Sequence, residues 1–173
     1  KERYPPSAFG IIEVGRGCIY SCSFCEEKPP LRLRSPENII KETMLVQKKY
    51  GTREFAFLVS SILHNPSWMK KICKLIEKYN LSLIFGGYVN ANQINKRILK
   101  IMKKAGLLTI DFGLESGSER ILKKINKLSN LKKEKIINFE EIVKQIREEK
   151  ILWRTGIIFG FPSETLDDLV QDI

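Results

Sequence analysis

The stretch Ala8 to Val14, AFGIIEV, runs without a break into Gly15 to Cys25, GRGCIYSCSFC. Its first part is an apolar run of strand length with one charge, Glu13. Its second part packs Cys18, Cys22 and Cys25, three of the chain's four cysteines, into eight residues. A strand feeding directly into such a loop makes the rest of the chain its scaffold. Three thiolates at C-x3-C-x2-C reach three corners of one cubane cluster, while a fourth iron stays without a protein ligand and is open to a substrate or cofactor. An open coordination position points to catalysis rather than structure.

Other readings of these cysteines ask for different partners. A structural zinc site wants four ligands, and beyond these three residues only Cys73 and the single His64 are available. A thioredoxin-like pair at Cys22 and Cys25 has no use for Cys18, and a disulfide framework belongs to small secreted domains.

Downstream, the chain alternates. Ser35 caps a helix from Pro36 to about Tyr50, which Gly51 ends. Glu54 to Val59 reads as a second strand, followed by a loop through His64 and a helix from Pro66, capped by Asn65, to about Lys78. Met69, Ile72, Cys73 and Ile76 share one face of that helix, so Cys73 belongs to the core. His64 reads as a loop histidine at the surface. A third strand, Ser82 to Phe85, runs into Gly86-Gly87, and apolar residues from Ile94 to Ala105 mark a helix ended by Gly106. Leu107 to Gly113 is a fourth strand, and Ser118 caps a short helix through about Ile125. Residues 126–137 form a connection or helix extension; Asn138, with Glu141 three residues on, starts another helix. Leu152 to Phe159 is a fifth strand, and Thr165 opens a last helix.

Strict strand and helix alternation predicts an α/β fold with a parallel sheet and right-handed crossovers, a barrel or partial barrel. Chemistry in such folds gathers at the carboxyl ends of the strands, where the cysteine loop, Ser60-Ser61, Gly86 to Asn92, Glu115 and Gly160-Phe161-Pro162 all fall. Arg154 is the one charge of the fifth strand and lies on the same face as Gly156 and Ile158. Its cation can meet a ligand carboxylate, or it can neutralise Glu13 or Asp111.

The 173 residues make one domain's worth of chain, expected to be a fragment of a longer protein because it starts with Lys and stops inside a helix. A net charge of +10 permits an anionic partner such as RNA, but the lysines are scattered over helix faces and no aromatic-plus-arginine stripe accompanies them. Nucleic acid is therefore only weakly indicated. No apolar run is long enough for a membrane span and no signal peptide is recognisable, so a soluble cytoplasmic protein is expected.

C-x3-C-x2-C with an aromatic, Phe24, directly before the third cysteine resembles the signature of the radical S-adenosylmethionine (SAM) superfamily. Arg34-Ser35-Pro36-Glu37-Asn38-Ile39 is similar to the opening of the first helix in its cobalamin-associated branch. Gly113-Leu114-Glu115-Ser116-Gly117-Ser118-Glu119 resembles the segment after the fourth strand, and Gly160-Phe161-Pro162-Ser163-Glu164-Thr165 the turn after the fifth.

That resemblance implies a (β/α)6 partial TIM-type barrel, of which five strands are visible and the sixth is expected beyond residue 173. It implies that Cys18, Cys22 and Cys25 ligate a [4Fe-4S] cluster whose unique iron is chelated by SAM, and that reductive cleavage of SAM yields a 5′-deoxyadenosyl radical or supports cobalamin-linked methyl transfer, with cobalamin held by a domain outside this chain. An electron donor such as flavodoxin or ferredoxin and a substrate of unknown identity are the implied partners. Phe24 corresponds to the aromatic near adenine, whose plain alternative is a buried ring, and Glu115 to the acid on the ribose hydroxyls, whose alternative is a helix-start charge. The family's Gly-Gly-Glu after the second strand is replaced by Val59-Ser60-Ser61, so Ser60, Ser61 or backbone carbonyls would hold the methionyl amine. Ser163 stands where the family turn has Gly. A tRNA methylthiotransferase-like enzyme and a non-catalytic zinc or iron–sulfur module are the rival functions.

Overall fold

The structure is a computed structural model, and it describes residues 9–127 and 138–171. Ala8, the expected start of the first strand, and residues 128–137 lie outside the described residues.

Strand β1 (Gly10–Glu13) leads into two short strands, β2 (Gly15–Arg16) and β3 (Arg32–Leu33), which pair antiparallel and bracket the cysteine loop. The order then continues as α1 (Pro36–Tyr50), β4 (Glu54–Leu58), α2 (Pro66–Lys78), β5 (Ile84–Tyr88), a 3-10 turn (Ala91–Gln93), α3 (Lys96–Lys104), β6 (Leu107–Glu115), α4 (Glu119–Lys124), α5 (Phe139–Glu148), β7 (Leu152–Ile157) and α6 (Leu166–Val170). The main sheet has five strands in the order β1-β4-β5-β6-β7, and every pair is parallel. This is the α/β partial barrel expected from the alternation.

Period-two alternation gives the sheet two unlike faces. Ile12, Phe55, Phe57, Phe85, Ile110 and Phe112 are buried in one core with residues of the helices. The Phe57 and Phe85 rings stack at 5.0 Å. The α2 face, with Met69, Ile72, Cys73 and Ile76, is buried in the same core. Ile11, Leu58, Tyr88 and Leu152, by contrast, remain exposed.

Local signals set the helix boundaries. Ser35 Oγ accepts from the Asn38 N–H, Asn65 Oδ1 from the Trp68 N–H and Asn138 Oδ1 from the Glu141 N–H. Three expectations are corrected. The third strand begins at Ile84 and includes Gly86-Gly87, because pairing with both β4 and β6 overrides the weak strand preference of two glycines. The fourth strand runs to Glu115, two residues further than expected. Ser118 occupies the first cap of α4 without a capping hydrogen bond, because its hydroxyl donates to Asp168 Oδ1 at 2.6 Å. Asp168 also pairs with Arg120 and closes a capping box with Thr165; the Arg120 guanidinium, followed by the Ser118 and Thr165 hydroxyls, holds its carboxyl well below the usual carboxylate range.

Candidate active site

A cavity of about 480 Å³ opens at the carboxyl ends of the parallel strands. Cys18, Cys22, Cys25 and Phe24 line it from the first loop, Ser60 from the end of β4, Glu115 from the end of β6 and Arg154 from β7. Seven of the eight residues singled out from the sequence thus share one cavity. Ser61 is the exception. It is buried behind the wall, and its hydroxyl is committed to Gln93.

The cysteine loop is tied at both ends and in the middle. The Cys18 N–H donates to Lys28 O, Lys28 Nζ donates to Cys22 O at 2.6 Å, and the Ser23 N–H donates to Ile125 O at 2.9 Å. Asn126 adds a bond to Ser21 O, which anchors the loop to the end of α4. All three cysteines are free thiols, Cys18 and Cys22 buried and Cys25 half-buried. Burial pushes the Cys22 thiol up, and the nearby Lys127 ammonium opposes that shift. Cys73 is only 1% exposed in the core, and burial pushes its thiol up to about 12. It is therefore removed from the site.

Among the described residues, no three His, Cys, Asp or Glu side chains form a group able to hold a single metal ion. A cubane asks for something else, because each thiolate takes a different corner and the sulfurs need not meet at one point. Thr155, another wall residue, keeps its Oγ1 buried with no hydrogen-bond partner among the described residues. Three soft sulfur donors on one anchored loop fit an iron–sulfur cluster.

The opposite wall is ionic. Glu115 ends β6 at φ 69°, past a register irregularity between Gly113 and Glu115, so its side chain folds back along the strand. A Cβ at Gly113 would stand 1.9 Å from Glu115 Oε1, which is why the residue beneath the carboxylate has no side chain. Lys127 Nζ donates to Glu115 Oε1 at 2.8 Å, with the two side chains only 10% and 12% exposed. The same ammonium lies 5.9 Å from the centre of the Phe24 ring, which is partly exposed and meets Phe161 edge-on.

Arg154 forms two bonds to Asp111, of 2.7 and 2.8 Å, and so resolves the choice between acidic neighbours. Glu13 pairs instead with Arg16. Ser163 adopts φ 71°, the left-handed conformation that explains why Gly suits that position.

Three residues were missed. His64, read as a surface histidine, lies 3.5 Å from Cys18 Sγ and 2.9 Å from Ser60 Oγ, and Gln93 holds its other nitrogen. Lys127 fell at the edge of a Lys-rich span with no pattern. A part-buried polar contact across 46 residues leaves no local periodicity, so only the place of His64 in the loop between β4 and α2 hinted at it.

Residues 12–173 match the model of the radical SAM superfamily. The chain belongs to the radical SAM superfamily. Its enzymes use a [4Fe-4S] cluster and SAM, which agrees with the donor set of the cavity. The chain is 29% identical over 169 residues to an uncharacterized methyltransferase of Pyrococcus horikoshii, a match covering 95% of this chain and 36% of the relative. It is 26% identical to the ribosomal protein uS12 methylthiotransferase RimO of Clostridioides difficile, covering 96% of this chain and 39% of the relative. Among solved structures, the radical SAM methyltransferase TsrM of Kitasatospora setae, with cobalamin and a [4Fe-4S] cluster bound, superposes with a TM-score of 0.82 at 18% identity, covering 95% of this chain and 33% of that one. The chain thus spans just over a third of the length of these curated relatives. Among the described residues no helix is long and apolar enough to cross a membrane.

Proposed function

We propose that this chain is the core domain of a radical SAM methyltransferase that works with cobalamin held elsewhere in the protein. The observation that carries the reading is the meeting of three free cysteines from one loop with Glu115 across a single cavity at the strand ends. The methyltransferase of P. horikoshii and TsrM support the methyl-transfer class. When bound, the cluster supplies the electron that cleaves the carbon–sulfur bond of SAM. Cys18, Cys22 and Cys25 hold three of its irons as thiolates, which form as the metal displaces their protons. Glu115 accepts hydrogen bonds from the ribose hydroxyls, and Phe24 offers its ring to the adenine. Ser60, whose hydroxyl already donates to Gly17 O at 2.6 Å, presents oxygen lone pairs to the methionyl amine. Ser61 supports Ser60 indirectly through Gln93 and His64. Arg154 stands at the cavity wall as the cation for the methionyl carboxylate. An electron donor such as flavodoxin or ferredoxin and a cytoplasmic location complete the reading.

A methylthiotransferase is the second reading, favoured by the likeness to RimO. It needs thiolates for a further cluster, and within this chain the remaining cysteine, Cys73, is in the core.

Anaerobic reconstitution with iron and sulfide tests the assignment. About four irons and four sulfides per chain, with a visible absorption bleached by dithionite, are expected. Cys18→Ala, Cys22→Ala and Cys25→Ala each lose that absorption, and Cys73→Ala keeps it. Uptake of zinc alone, or loss of the cluster in Cys73→Ala but not in Cys18→Ala, overturns the proposal.

A further inference from the structure

Behind Cys18 lies a chain of hydrogen bonds whose direction is fixed from the backbone outward. The N–H groups of Leu63 and Asn90 both point at Ser61 Oγ, each at 3.2 Å. A backbone amide only donates, so both bonds use the oxygen as acceptor and the Ser61 hydroxyl proton is left for Gln93 Oε1, 2.6 Å away. That contact makes Oε1 the carbonyl end of the Gln93 side chain and Nε2 its donor. Gln93 Nε2 lies 3.2 Å from His64 Nδ1, which must therefore accept. A neutral imidazole with Nδ1 accepting carries its proton on Nε2. The ring is neutral in this arrangement, because an imidazolium would turn a second N–H donor toward the Gln93 amide nitrogen.

His64 Nε2–H thus faces two acceptors, Ser60 Oγ at 2.9 Å and Cys18 Sγ at 3.5 Å. Ser60 has spent its own proton on Gly17 O, so it is an acceptor here. The Cys18 sulfur also lies 3.4 Å from the Tyr20 N–H. While Cys18 is a neutral thiol, the shorter contact to Ser60 holds most of the shared proton. Once the sulfur is an anion, the charge-assisted bond is the stronger of the two.

We infer that His64 is a positioning residue that donates a hydrogen bond from Nε2 to the Cys18 thiolate, in a tautomer set by the Ser61–Gln93 relay, and so raises the reduction potential of the bound cluster. The inference rests on the cysteine assignment made above. A donor to a ligand sulfur stabilises the more negative, reduced cluster over the oxidised one. The relay also disfavours His64 as a fourth zinc ligand, because Nε2 would first have to give up its proton and Nδ1 its bond from Gln93.

Two measurements test this. The chain has a single histidine, so nitrogen–proton correlation NMR on the metal-free protein reads its tautomer without assignment. The Nε2–H form is expected in the unmodified chain, and a mixture of tautomers in Gln93→Leu. A predominant Nδ1–H form in the unmodified chain overturns the relay. The second measurement is a potentiometric titration of the reconstituted protein, with iron content determined on the same samples. His64→Phe, which keeps a ring and loses the donor, lowers the ratio of reduced to oxidised cluster about tenfold at a fixed potential, equivalent to about 59 mV for one electron. His64→Gln, which restores an N–H, recovers most of the shift. Should His64→Phe fail to load iron, Gln93→Leu carries the test, with a midpoint shifted in the same direction. An unchanged midpoint at full cluster content overturns the role of His64 and leaves the cysteine assignment standing. Failure of the unmodified protein to take up a cluster overturns both.

Discussion

The two walls of the cavity hold their polar groups by opposite means. On the cysteine side, Ser61, Gln93, His64 and Ser60 form a neutral relay whose two end members, Ser61 and Ser60, are each bonded to the main chain, so the middle pair is held between fixed ends. On the far side, Glu115 and Lys127 face each other as an ion pair, and Arg154 and Asp111 as another. A backbone-anchored relay fixes geometry, which suits a cluster bound once and kept. An ion pair at a cavity wall exchanges partners without refolding, which suits a cosubstrate that enters and leaves at each turnover.

The cysteine wall should break hardest where its backbone has no slack. Gly17 sits at φ 79°, and a Cβ there would stand 2.2 Å from Pro30 O. Gly17→Ala meets both left-handed strain and a backbone clash, for a combined cost of about 2–5 kcal/mol. A lowered melting temperature together with loss of reconstituted iron is expected. A variant with unchanged melting and full iron content would show that the loop yields, against the rigid half of the comparison.

The ionic wall should break less, and its break should be repairable. Lys127→Met leaves Glu115 largely buried without its cation, at a cost of about 2 kcal/mol, less than for a deeply buried pair because the cavity admits water. Adding Glu115→Gln should recover most of that loss, since the paired neutral side chains no longer strand a charge. The single Glu115→Gln change should weaken SAM binding about tenfold, measured by isothermal titration of the reconstituted protein. If the double variant is no more stable than Lys127→Met, the pair is not the coupled unit described here.

How much of these walls the sequence disclosed follows the same division. Cys18, Cys22, Cys25 and Phe24 were legible because one loop carries them at fixed spacing, and Glu115 because glycines flank it at a strand end. The helix caps at Ser35, Asn65 and Asn138 were legible because a cap acts on residues three positions away. His64, Gln93 and Lys127 were not, because each acquires its role from a residue that only the fold brings near. Strands β2 and β3 have two residues each, too short to show alternation, yet they bracket the cysteine loop. The hydroxyl of Ser118 went to Asp168, 50 residues on, which no local cap rule anticipates.

The pH response separates the relay from the ion pairs more finely. His64 sits at about 4 rather than its ordinary 6.5 because burial disfavours the imidazolium. The unfolded chain binds the proton first, so the stability this histidine contributes is complete above pH 6.5 and is lost as the pH falls toward about 4. With the partial exposure of the ring discounted, the loss should be about 1–2 kcal/mol. Denaturant titrations of the metal-free chain at pH 7 and pH 4.5 should show His64→Gln losing that much less than the unmodified protein. Equal losses in the two would mean the ring is not held neutral by its surroundings.

The smallest effect belongs to Arg154, and it probes the wall where exchange of partners matters. Its side chain is 78% exposed while that of Asp111 is 17% exposed, so the two bonds between them are screened on one side. Arg154→Gln should therefore change stability by less than about 1 kcal/mol. SAM binding should respond more than folding does, because the substitution removes a cation from the cavity and leaves the Asp111 carboxylate to repel the methionyl carboxylate. A loss of about fivefold in affinity is expected, equivalent to about 1 kcal/mol in a solvent-reached site. Asp111→Asn with Arg154 retained should move affinity the other way, since the guanidinium is then free to turn to the ligand. If neither variant changes SAM binding, Arg154 and Asp111 only neutralise each other, and the exchangeable part of this wall reduces to Glu115 and Lys127.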